Sequence, residues 1–147
     1  MAVNEIWDIP EMRDNLYKEK VFEDADQMID HMYKPDNALY PDYTGSFYYR
    51  YGDFPYADGA RDEGLLAAYE LAIKTNDAER IKKYESAIKL AIWSTVHLVN
   101  TPESSYAVSN PEMTIGGVRF KHTRQWLKID TIQHVIGFYI KFLKYLE

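Results

Sequence analysis

Two stretches of this chain are apolar around most of a helical circumference, and 147 residues offer few ways to bury both. The first, LLAAYELAI from Leu65 to Ile73, follows the polar triplet Arg61-Asp62-Glu63. The second, DTIQHVIGFYIKFLKYL from Asp130 to Leu146, sets Ile132, Val135, Ile136, Phe138, Tyr139, Ile140, Phe142, Leu143 and Leu146 on nearly every side, relieved mainly by Lys141 and Lys144. A helix without a polar face needs neighbours on most of its sides. The remaining segments must therefore wrap these two, or leave apolar surface for an interface.

Two amphipathic helices are available for the wrapping. From about Met12 to Tyr33, Leu16, Val21, Phe22, Ala25, Met28, Ile29 and Met32 fall on one stripe opposite Lys18, Glu23, Asp24, Asp26 and Asp30, until Lys34-Pro35 ends the run. After Asp77, residues Ile81, Tyr84, Ile88, Ala91, Ile92, Thr95 and Val99 form a second stripe, with Lys82, Lys83, Glu85 and Lys89 facing away. Asp58 is placed to cap the first apolar helix, which runs to Lys74 and exits through Thr75-Asn76-Asp77. The expected fold class is all-α, a single domain over 1–147. Two hairpins of an outer and an inner helix make it up, spanning about 12–75 and 78–147. The two apolar helices start about 68 to 70 residues apart and the two amphipathic ones a similar distance, so the order reads as an internal repeat.

Long aromatic loops lead into both apolar helices. YPDYTGSFYYRYGDFPY, residues 40 to 56, bends at Gly45 and Gly52. TPESSYAVSNPEMTIGGVRFKHTRQW predicts a reverse turn at Gly116-Gly117 between short extended pieces, SYAV and VRF. Loops this long inside a compact domain usually carry function.

Composition removes several function classes. A net charge of -6 gives no field for phosphate, so nucleic acid is not expected as a partner. The chain has no cysteine, which excludes disulfides and thiolate chemistry. Its four histidines, at 31, 97, 122 and 134, show no metal-ligand spacing, so neither a metal nor another cofactor is expected. Nothing approaches the ~18 consecutive apolar residues of a membrane span. MAVNEIWDIPEMRDN lacks the basic and apolar regions of a secretory signal, and the expected location is cytoplasmic.

The segments GSFYYRYGDFPYADGARDEGLLAAYELAI, AERIKKYESAIKLAIWSTVHLV, GGVRF and KIDTIQHVIGFYIKFL together resemble (α/α) toroid proteins: the six-hairpin glycosidases, the N-acylglucosamine 2-epimerase group and the helical domain of glucuronyl C5-epimerases. The resemblance covers roughly the last hundred residues. It implies that Gly-aromatic loops deliver polar residues of the inner helices' first turns to a central cavity that commonly holds a sugar. Those toroids close with about six hairpins, and this chain has two. It would be the C-terminal piece of a longer protein lacking N-terminal hairpins here, a homo-oligomer that shares a cavity, or a small bundle.

Asp62 and Glu63 suit the first turn of a helix on electrostatic grounds alone. In the functional reading they face a second carboxylate, Asp130, across a saccharide, because glycoside chemistry sets two carboxyl groups in different protonation states around the sugar. Asp130 and Gln133 also fit a capping box. His134 is either a hydrogen-bonded interior histidine or a base within reach of a sugar carbon, a role open to His122 as well. Tyr49, Tyr51 and Tyr56 offer flat stacking surface or simply pack their loop down. Arg61 accompanies the acids, and Gln133 their counterpart on the second helix. Arg50, Arg119 and Arg124 could receive a uronate or neutralise neighbours.

The leading expectation is thus a carbohydrate-binding or carbohydrate-processing protein, with its site where Arg61, Asp62, Glu63, Asp130 and His134 converge. The alternative is a non-catalytic helical-hairpin module for protein interaction or self-assembly. Its period is near twice the 34 residues of tetratricopeptide repeats, but it lacks their tight turns and W-x-x-L-G signature. An isoprenoid or peptide cyclase is a third reading, and the aspartate-rich or zinc-binding devices it needs are missing.

Overall fold

The computed structural model describes residues 2–146, and these are mostly helical with one small sheet. The α-helices are α1 (Ala2–Ile6), α2 (Asn15–Asp30), α3 (Gly59–Lys74), α4 (Ala78–Val96) and α5 (Ile129–Leu143), and β1 (Arg119–Lys121) and β2 (Arg124–Leu127) form an antiparallel hairpin.

The helix α3 is the centre of the molecule. Leu65, Leu66, Ala67, Ala68, Tyr69, Leu71 and Ala72 are all buried, so its lack of a polar face matches its surroundings. Asp58 accepts from the Arg61 amide at 3.2 Å and fixes its start, as the sequence predicts. Asn76 takes the left-handed conformation, φ 55°, that reverses the chain into α4, and Asp77 caps that helix by accepting from the Arg80 amide at 3.1 Å. Phe22 of α2 packs on Tyr84 of α4, which places these two helices side by side over α3.

The last helix, α5, runs parallel to α3. Contacts advance together along both: Gly59 meets His134 and Val135, Glu63 meets Lys141, and Glu70 meets Lys144 and Tyr145. Glycines make the approach close. A Cβ on Gly59 would lie 2.5 Å from the Val135 amide nitrogen, and one on Gly137 would lie 2.8 Å from Glu63 Oε1.

Several expectations are corrected. The first amphipathic helix starts at Asn15, because Pro10–Met12 forms a separate 3-10 turn and Asp14 supplies the cap. It ends at Asp30, because Met32 and Tyr33 turn extended to pair with Ser46 and Phe47. Leu16 is 74% exposed and leaves the buried stripe. The capping box at Asp130 and Gln133 does not form. The chain leaves β2 directly into α5, Lys128 takes the cap position without a side-chain bond, and Asp130 falls inside the first turn. SYAV folds into turns, with Ser105 bonding back to Thr101. The extended piece that meets the Gly116-Gly117 turn is instead Leu98 to Asn100. Finally, α5 buries only Thr131, Val135, Phe138 and Phe142 along one face.

Candidate functional site

The two aromatic loops meet over the common starting end of α3 and α5. Ala57 donates its amide to the Phe120 carbonyl at 3.0 Å, and Tyr56 bridges Lys121, so the segment entering α3 is stitched to β1. This pairing stacks Tyr56 on Phe120, with centroids 5.6 Å apart and planes 28° from parallel. Tyr49 continues the row at 6.2 Å and 21°, and the Tyr56 hydroxyl donates to the Tyr49 hydroxyl at 2.9 Å. Burial, followed by this contact, pushes the Tyr56 phenol upward, so it stays protonated.

Cations close both ends of the row. The Arg61 guanidinium lies 4.3 Å from the Tyr49 centroid and is paired with Asp58, and Lys128 Nζ lies 3.7 Å from the Phe120 centroid. Tyr56 separates two hollows. One, of about 280 Å³, is lined by Phe47, Tyr49, Phe54 and Lys121. The other, of about 220 Å³, is lined by Asp58, Gly59, Phe120, Asp130, Thr131 and His134. Drug-sized ligands occupy roughly 300–1,000 Å³, so each hollow suits a single ring-sized group.

His134 lines the smaller hollow and is held from behind. Its Nδ1 donates to Glu63 Oε2 at 2.8 Å, and Lys141 Nζ donates to Glu63 Oε1 at 3.1 Å. Burial alone would raise the Glu63 carboxyl, but these two donors outweigh it and hold the group below its ordinary range. With Nδ1 engaged as the donor, Nε2 is the nitrogen left to accept a proton, the arrangement used when a carboxylate orients a general base.

Asp62 is only 2% exposed, and its Oδ2 has no hydrogen-bond partner among the described residues. Burial first, then the charges of Asp58 and Glu63, raise its carboxyl well above the ordinary value. Tyr139, whose hydroxyl shares a 2.6 Å hydrogen bond with Thr95, has its phenol pushed up by burial. Asp62 thus lies behind the hollow, in the interior.

Of the residues singled out from sequence, Tyr56, Asp130 and His134 line one hollow and Tyr49 the other. Arg61 flanks the row and Glu63 supports His134. Tyr51 joins a separate cluster, donating to the Asn37 carbonyl at 2.7 Å. Arg124 lies over Trp126 on the hairpin, and Gln133 is exposed on α5. Arg119 is committed to the His97 carbonyl at 2.7 Å, and His122 packs on Tyr43 with its ring pushed down by burial. Phe120, Thr131, Lys128 and Lys141 were not foreseen. Gly137, which interrupts the apolar run of α5, is the sequence signal that hinted at a close crossing.

Among the described residues no group of three or more His, Asp or Glu side chains is placed to hold a metal ion, and no helix is long and apolar enough to cross a membrane. No protein-family model, curated protein or solved structure matches the chain.

Proposed function

We propose that the chain binds a saccharide across the Tyr49, Tyr56 and Phe120 row, with sugar rings in the hollows on either side of Tyr56. The observation that carries this reading is the stacked, cation-flanked row standing over the shared start of two parallel helices. The rings wall the two hollows with apolar surface against which a sugar ring packs, Asp130 and Asp58 accept from its hydroxyls, and the phenol hydroxyls accept or donate.

His134, oriented by Glu63, is the group in this site able to take a proton from a bound sugar. Asp62 lies in the interior behind them, its carboxyl held toward the protonated form by burial and by the neighbouring Asp58 and Glu63. In this reading α2 and α4 are outer helices and α3 and α5 inner ones of an (α/α) toroid-type arrangement, which the parallel α3 and α5 contact supports. Further hairpins or further copies would complete it.

Calorimetric titration with a panel of neutral and uronate oligosaccharides tests the proposal. A saturable heat for at least one saccharide, lost in Tyr56→Ala while the fold is kept, is the expected result. Identical titrations for wild type and Tyr56→Ala would remove the site.

A further inference from the structure

The face of α5 turned away from α3 carries Ile129, Ile136, Ile140 and Leu143, exposed by 85, 44, 65 and 57%, and Leu146 follows at 64%. Positions 129, 136 and 143 repeat every seven residues, and 140 lies beside them, so the exposed side chains form one straight seam along the helix. Such a seam of large aliphatic residues is out of place on a solvated helix, where a polar face is the rule.

We infer that this seam packs against the same seam of a second copy, with the two α5 helices antiparallel about a two-fold axis. Charge selects that arrangement. Asp130 begins the helix, and Lys141 and Lys144 end it along the same edge of the seam, paired within the chain to Glu63 and Glu70 respectively and each still about half exposed. A two-fold axis between antiparallel helices sets that edge against its own equivalent, bringing each Asp130 to the lysine-bearing end of the other copy. The opposed macrodipoles favour the same direction. In a parallel pair those lysines would instead face the opposite edge, which near that height carries Tyr139. Two-fold dimers are also the commonest closed assemblies, since one self-complementary patch suffices. Asp130 also lines the smaller hollow, so the tests of dimerisation are placed on Ile129, Ile136, Ile140 and Leu143, which line neither hollow.

The chain has no cysteine, which makes single-cysteine variants a clean probe. The expected results are a mass of twice 17.3 kDa by light scattering, and a dissociation constant raised by more than about tenfold in Ile140→Lys, whose circular dichroism stays native. Under mild oxidation Ile136→Cys, near the axis, should link to itself. Ile129→Cys should fail to do so alone but link when mixed with Leu143→Cys. A monomer at all concentrations, a dimer unaffected by Ile140→Lys, or self-linking of Ile129→Cys as strong as that of Ile136→Cys would each overturn the inference.

Discussion

Glu63 and His134 stand 71 residues apart in the chain and 2.8 Å apart in space, joined across the parallel helices α3 and α5. The hydrogen bond works in two directions, presenting the imidazole to the hollow and stabilising the folded carboxylate. Because the folded Glu63 carboxyl titrates below its ordinary value of 4.5, its contribution to stability is present above that pH and lost as pH falls through the folded value. Glu63→Gln should therefore lower stability near neutrality and flatten its decline on the acid side, as read from denaturant midpoints between pH 3 and 7.

Asp62 should behave with the opposite sign. Its carboxyl is raised, so its contribution is complete below its ordinary value of 3.8 and is lost as pH rises through the folded value. Asp62→Asn imitates the protonated form. It should raise stability at neutral pH by on the order of 1–3 kcal/mol, with the gain vanishing in acid, where both proteins are neutral at this position. A loss of stability at pH 7 would mean that the ionised carboxylate has a partner.

The two glycines at the start of α3 should respond differently to the same methyl group. At Gly59 the new Cβ meets the backbone of His134 and Val135, which cannot move aside without separating the helices. Gly59→Ala should cost about 1–3 kcal/mol and weaken saccharide binding with it. At Gly64 the nearest atom is the end of the flexible Met28 side chain at 3.5 Å, and the helix gains from the substitution. Thermal melts should show Gly64→Ala more stable by about 0.5–1 kcal/mol.

In the buried interior, Phe138 on α5 is fully enclosed between Tyr139, Phe142 and the α3 core. Phe138→Ala should cost about 3–5 kcal/mol in equilibrium unfolding, whereas Ile140→Ala on the exposed seam should cost far less in a dilute monomer.

The helical content, the Asp58 and Asp77 caps and the burial of α3 were legible because each rests on local chemistry: a short acceptor side chain before an apolar run. The starts of α2 and α5 were not, because their neighbours decided them. Tyr33 leaves the first helix to pair with Ser46, and β2 hands the chain to α5 before Asp130 can cap it. Asp62, Glu63 and His134 were visible as residue types. Their division into an interior acid, a support and a cavity base depends on the rotation of α3 against α5, which Gly59 and Gly137 set through contacts 74 to 76 residues distant. Phe120 was hidden for the same reason, since only the pairing of Ala57 with β1 brings it to Tyr56.

The central claim is that a saccharide sits between Tyr56 and His134, and long-range ¹H–¹⁵N spectra of the histidine rings during saccharide titration test it most directly. The account predicts that a saccharide found by calorimetry shifts the His134 ring signals saturably, with the same constant as the Tyr56 ring, and leaves remote His31 unmoved. Signals of His134 that stay fixed while the saccharide binds, or that move equally in Tyr56→Ala, would contradict it.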